Sequence, residues 1–162
     1  MSGAPLKLTR TAMRAEFINP FLQAAIEVLA AETRLRVDRG GPTLQPSTTR
    51  TSHDVNALVE VSGERIAGQV LVGMTRDTAL ALVGSILDRP FVELDELATS
   101  GIAELTNVIA ARACALLDAA GYPCTATPAA LEAGAGLSML AGQRLVVPLH
   151  LRLEASLSFK SR

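Results

Sequence analysis

Soft metal ligands are scarce in this 162-residue chain: Cys114, Cys124, His53 and His150 are its whole supply of cysteine and histidine, and none is paired at a metal-ligand spacing. That scatter excludes a metal centre built on them, and Cys114 fares no better as a catalytic nucleophile. No disulfide is expected in a reducing cytosol. Charge of one sign is lacking as well. Fifteen basic and 16 acidic residues are interspersed and leave a formal net charge of −1, which removes the electrostatic argument for nucleic acid or an anionic membrane as partner. A run of about 18 apolar residues is absent, and the opening MSGAPLKLTRTAMRAEF lacks the apolar core of a secretion signal, so a cytoplasmic location is the expectation.

What is present is apolar. Residues of that class make up 49% of the chain against 19% charged, and the mean hydropathy is +0.31, so the bulk of the sequence folds. The length suits one domain over 1–162, with a tail at about residues 1–14 and a loop-rich segment at 39–54.

In INPFLQAAIEVLAAET, residues Phe21, Leu22, Ala25, Ile26 and Leu29 recur at helical spacing. With Asn19 as N-cap and Pro20 as first helical residue, a helix is predicted from about Pro20 to Thr33. RGGPTLQPSTTRTSHD reads as a loop or a ragged edge strand. From Val55 the period becomes two, and VNALVEV and RIAGQVLVGM, joined across Ser62-Gly63-Glu64, predict a β-hairpin. Thr75 caps a helix, TALALVGSIL, which has Asp77 in its first turn and is ended by Asp88-Arg89-Pro90. The next helix is expected from about Leu94 to Ala120, with Gly121 as its C′ residue and Pro123 just beyond. YPCTATPAALEAGAG holds short strand-like pieces, and LVVPLHLRLEASLSF alternates as a long strand in which Pro148 argues for an edge position or a local break in pairing. This order favours an α+β fold, a mainly antiparallel sheet with packed helices.

The long helix contains SGIAELTNVIAA. At about 100° per residue, Ala98, Ile102, Leu105, Ile109, Ala113 and Leu116 fall on one stripe, and Ser100, Glu104, Asn107, Ala111, Cys114 and Asp118 on the opposite one. The first stripe is the expected core face. The second carries few long charged side chains, and the small residues Ala103, Ala110 and Ala111 would let another backbone come close. Glu104 and Asn107 are separated by a rise of roughly 4.5 Å, so a carboxylate and a carboxamide project together, with Asn107 expected to be exposed.

That spacing resembles the chemotaxis phosphatases CheC, CheX and FliY, in which Ser or Asp is followed after three residues by Glu and after two more by Asn. Ser100, Glu104 and Asn107 match at all three positions, and FINPFLQAAIEVL together with the order of hairpin, capped helix and long helix is similar to CheX. The resemblance spans roughly residues 15 to 155. It implies a CheC/CheX-like fold that docks the long helix, through Ser100, Ala103 and Ala111, on a phosphorylated CheY-like response regulator. Hydrolysis of the regulator's aspartyl phosphate would follow, with Asn107 holding the attacking water and Glu104 binding the regulator's active-site lysine. Mg²⁺ would sit in the regulator, with no cofactor held by this chain.

A second ExxN, Glu16 to Asn19, has Ala12 in the upstream Ser/Asp position, and Asn19 reads as a helix cap rather than a second motif. The family's proline, a little over twenty residues after the asparagine, is met by Pro128 about two positions early. The alternatives are a CheX-like adaptor that binds a regulator without catalysis, and a structural domain related to flagellar switch proteins. The apolar C-terminal strand, read as a free edge, makes a homodimer the expected assembly.

Overall fold

The computed structural model describes residues 2–8, 15–41, 43–45, 54–133 and 144–153. In order they form β1 (Ser2–Leu8), α1 (Ala15–Glu32), β2 (Leu35–Arg39), β3 (Thr43–Gln45), β4 (Val55–Ser62), β5 (Ala67–Met74), α2 (Arg76–Leu87), α3 (Glu96–Ala119), β6 (Thr125–Ala126), β7 (Ala130–Ala133) and β8 (Arg144–Leu153). The strands make one antiparallel sheet in the order β2-β8-β1-β5-β4-β6, with β3 also on β8 and β7 also on β4. The chain is α+β, as its order of elements predicts.

The predicted hairpin is β4–β5. Val55, Ala57, Val59 and Val61 of β4 are buried, and the opposite face opens toward its end, from the buried Asn56 through the half-buried Leu58 to the exposed Glu60 and Ser62. Thr75 caps α2 by accepting from the Thr78 N–H at 3.2 Å, and Asp88 ends that helix in the left-handed region at φ 53°. The core lies between the sheet and α1 and α3, which an Arg112–Glu27 ion pair of 3.1 Å also joins at the surface. By length and an 18-residue window of mean hydropathy 1.3, α3 could cross a membrane; here its apolar stripe is taken up by α1, α2 and the sheet.

Three expectations are corrected. Residues 2–8, read as part of a tail, form β1 between β5 and β8, where SGAPLKL has only the short alternation of Ala4, Leu6 and Leu8 and takes its conformation from its partners. Its ladder with β5 is interrupted at Ala4 and Pro5, as a residue without an N–H requires. The first helix starts at least as early as Ala15, so Asn19 lies inside it rather than capping it, with Pro20 inside as well. Phe17 and Ile18 are buried and extend the apolar period of Phe21 and Leu22 upstream, and that burial outweighs the one backbone bond Pro20 cannot make. Last, β8 is not the free edge expected for a homodimer, and of the two readings of Pro148 the local break in pairing is the one that holds. It pairs with β1 on one side and with β2 and β3 on the other, and Pro148 falls in the gap between Leu149, the last β8 residue opposite β2, and Val146, the first opposite β3. Of the sequence readings, residues 9–14, 46–53, 134–143 and the LEASLSF end beyond Leu153 lie outside the described residues.

After α3 the chain reverses through a Schellman turn: Gly121, at φ 93°, donates to Asp118 O at 3.0 Å and Tyr122 donates to Leu117 O at 2.8 Å. The hairpin tip clasps this reversal. Arg65 donates to Gly121 O at 3.0 Å and stacks on Tyr122, whose ring meets Phe17 edge-on at 4.7 Å. Gly63 lies so close to Pro123 that a Cβ there would collide with the Pro123 carbonyl oxygen. Gly63→Ala is therefore expected to cost about 1–3 kcal/mol in chemical denaturation, because backbone rather than a pliable side chain must move. An unchanged denaturation midpoint would show the contact to be soft.

Candidate functional site

Asp95 starts α3 by accepting from the Ala98 N–H at 2.8 Å, and from there the apolar period decides how the helix lies. Ala98, Ile102, Leu105, Ile109, Ala113 and Leu117 are buried, with Leu116 half-buried where full burial was expected. The outer stripe faces away from the core as predicted: Ser100, Glu104, Ala111 and Asp118 are exposed, and Ala103, Asn107 and Cys114 are half-buried.

The outer face is sculpted by its neighbours. Ser100 and Ala103 line a cavity of about 390 Å³ with Val55, Leu94, Thr99 and Leu131. On the other flank Ser100 and Glu104 line an apolar groove of about 240 Å³, walled by Leu87 of α2 and Leu97 and Val108 of α3, with Glu32 of α1 at its rim. Leu87, Leu97 and Val108 are all exposed there. The Glu104 side chain forms no hydrogen bond or ion pair with another described residue. A solvated carboxylate with apolar surface beside it can receive a cation from outside.

Asn107 is different. Its carboxamide Oδ1 accepts from the backbone N–H of Ala129 at 2.8 Å, so the expectation of a side chain free of the fold is corrected. The partner is delivered by a slip in strand register. Leu58 of β4 faces Ala130 in β7 while Val61 faces Ala126 in β6, so Thr127, Pro128 and Ala129 oppose only Val59 and Glu60. That one-residue surplus is a β-bulge. Thr127 anchors it twice, donating its N–H to Glu60 O at 2.9 Å and accepting the Glu60 N–H on Oγ1 at 2.9 Å. Pro128 has no N–H, and Ala129 turns its own to α3. Pro128 thus stands in the wall of the depression that holds Asn107, whatever its offset in sequence. Sequence reasoning did not identify Thr127 and Ala129; the available signal was a proline inside a strand-like run, which marks a bulge or an edge.

The same depression, about 390 Å³, is also lined by Ala110, Ala111, Cys114 and Cys124. Burial pushes the Cys124 thiol up to about 12, with further contributions from its hydrogen bond to Cys114, the charge of Cys114 and that of Asp118. Among the described residues no group of His, Cys, Asp and Glu is arranged to hold a metal ion.

A family model described as "Chemotaxis phosphatase CheX" matches residues 55–150, a span that includes the hairpin, α2, α3 and the bulge. Among solved structures, a CheC-like superfamily protein from Shewanella sp. PV-4 superposes with a TM-score of 0.72 at 21% identity, over 85% of this chain and 99% of its own. The chemotaxis protein CheX from Vibrio vulnificus gives 0.71 at 20% identity, over 84% and 100%. A CheX–CheY–BeF₃–Mg²⁺ complex from Borrelia burgdorferi gives 0.61 at 22% identity, over 86% and 99%. No curated protein matches the sequence. At these identities the superpositions establish the shared fold.

Because the Cys124 thiol is held protonated well above the usual thiol range, and the thiolate is the reactive form, its alkylation by iodoacetamide is expected to keep rising with pH beyond 9. The raised value also means that the thiol leaves folding stability unchanged below about pH 9, where it is protonated folded or unfolded, and that stability falls as pH rises from about 9 toward about 12, where the unfolded thiol ionises first. Cys114→Ala removes two of the causes and is expected to lower the inflection. A rate that levels off near pH 9 in the folded wild type would contradict the assignment.

Proposed function

Since the chain belongs to the CheX chemotaxis phosphatase family, we propose that it docks the outer face of α3 on a phosphorylated CheY-like response regulator and accelerates hydrolysis of the regulator's aspartyl phosphate. The observation that carries the reading is the placement of Ser100, Glu104 and the half-buried Asn107 together on the outer face of a helix whose opposite face is locked into the core. Glu104, whose side chain has no partner among the described residues, takes the regulator's active-site lysine as a charge-assisted contact. Asn107 orients the attacking water in line with phosphorus. Little covalent help is needed, because phosphoryl transfer is governed by positioning and by stabilising charge on the transferred group. Water adds to phosphorus, the aspartyl oxygen leaves, and inorganic phosphate and the free carboxylate result.

Docking is supported by the surface around the motif. Ala103 and Ala111 keep it low, and the exposed Leu87, Leu97 and Val108 beside Glu104 offer apolar area to a protein partner. Mg²⁺, present in the Borrelia burgdorferi complex, belongs in this reading to the regulator. A cytoplasmic site of action belongs to it too. So does a homodimer, which would use the outer strands of the sheet, since β8 is paired on both flanks.

One observation favours a second reading, a non-catalytic regulator-binding domain: the Asn107 Oδ1 already has a partner in Ala129, as a purely structural asparagine would. The decay of acyl phosphate on a CheY-like regulator from the same organism separates the two. Asn107→Ala is expected to slow the accelerated decay by ~10²–10³-fold, the range seen when one preorganised polar group is removed from an active site. It is also expected to cost about 1–3 kcal/mol of stability by stranding the Ala129 N–H. Glu104→Ala is expected to slow decay and to weaken the complex more than Asn107→Ala does, and Ala111→Arg to weaken binding with the fold intact. Wild-type protein that leaves the decay unchanged, or Asn107→Ala that matches wild type, would defeat the phosphatase reading and leave the adaptor.

A further inference from the structure

We propose that the bulge at Thr127–Ala129 is a positioning device for Asn107: the Ala129 N–H fixes the rotation of the carboxamide and leaves its two Nδ2 hydrogens and a second Oδ1 lone pair for the water and phosphoryl oxygens of a docked regulator. The inference rests on the phosphatase reading and adds to it what orients the carboxamide. A surface asparagine otherwise rotates about two side-chain bonds and presents either its oxygen or its nitrogen outward. A backbone N–H can be met only by an acceptor. The 2.8 Å bond to Oδ1 therefore selects one of the two amide orientations, since the flipped amide would set donor against donor.

The bulge is built to hold that donor in place. With an extra residue the strand pairs with β4 through Thr125 and Ala126 on one side and through Ala130 to Ala133 on the other, while one N–H leaves the ladder for α3. The N–H groups of the three bulge positions are all accounted for: Thr127 donates to Glu60, Pro128 has nothing to donate, and Ala129 donates to Asn107. Thr127 holds the base of the bulge by accepting the Glu60 N–H on its hydroxyl. Ala129, through its backbone, and Thr127, through Oγ1, are thus positioning residues that touch no substrate. Holding the reacting groups to within a fraction of an ångström is where a positioning mechanism gains its rate.

Ala129→Pro deletes the one N–H and no other polar group; Thr127→Val removes the Oγ1 acceptor and loosens the bulge while keeping the Ala129 N–H. Steady-state dephosphorylation of a phosphorylated CheY-like regulator is expected to show kcat reduced about tenfold or more in Ala129→Pro. KM, and affinity for the regulator carrying a beryllofluoride phosphate mimic, are expected to stay within about twofold of wild type. Thr127→Val is expected to show a smaller fall in kcat with KM again unchanged, and it decides the matter alone if Ala129→Pro does not fold. Amide hydrogen exchange supplies a readout independent of activity. The Ala129 amide is expected to be protected in wild type and in Asn107→Asp, which keeps an acceptor, and to exchange fast in Asn107→Ala. An active wild type whose kcat is indifferent to these substitutions, a kcat loss matched by an equal loss of binding, or a fast-exchanging Ala129 in wild type overturns the inference alone. A wild type that does not accelerate acyl-phosphate decay overturns the phosphatase reading and takes the inference with it.

Discussion

Burial of one stripe of α3 is the constraint from which the outer surface follows. Ile102, Ala98, Ala113 and Leu117 are wholly withdrawn from solvent, with Leu105 and Ile109 nearly so, and the helix packs at once on α1, α2 and the edge of the sheet at β4, β6 and β7. Each large apolar side chain in such a stripe contributes about 1.5–3 kcal/mol by burial. Rolling the helix by even a sixth of a turn would forfeit several of these at once, far more than any polar contact on the outer face returns. Ser100, Glu104 and Asn107 point outward because the core leaves them no alternative. The polar triplet can therefore be chosen for its chemistry without regard to stability, with Asn107 as the partial exception.

The sequence made legible whatever depended on neighbours close in the chain. Alternation in VNALVEV gave the hairpin, Thr75 and Asp77 gave the start of α2, and the 3.6-residue period gave both faces of α3, down to the glycine that reverses the chain after it. Contacts distant in sequence were another matter. Little in SGAPLKL announces a strand, because its place is made by β5 and β8, whose paired residues lie sixty or more positions away. Asn19-Pro20 carried the local chemistry of a helix start, and the long-range burial of Phe17 and Ile18 overrode it. Pro148 pointed to an edge position or a local break in pairing, and the break is what the inner strand β8 shows; Pro5 likewise sits where the ladder of β1 with β5 is interrupted. At the site the triplet was readable from spacing alone. The bond between Asn107 and Ala129 was not, since it spans 22 positions and needs the register of β6 and β7 against β4 to exist.

The route from α3 to the bulge is short and held at every step. Gly121 and Tyr122 close the end of the helix, Arg65 and Gly63 press the hairpin tip against the reversal, and Thr125 and Ala126 pair with β4 before Thr127 begins the bulge. Backbone geometry at one end of the helix thus reaches the carboxamide nearly four turns back along it. The half-buried thiols of Cys114 and Cys124 fill the interval between the two lines of backbone.

Tyr122 gives that junction an optical signature. The chain has no tryptophan and a single tyrosine, so its intrinsic near-ultraviolet emission originates at one ring, wedged edge-on against Phe17 and covered by the Arg65 guanidinium. The lone fluorophore reports on the place where α1, the hairpin tip and the end of α3 meet. Loosening of that corner becomes visible without a label, and separately from melting of the rest of the sheet.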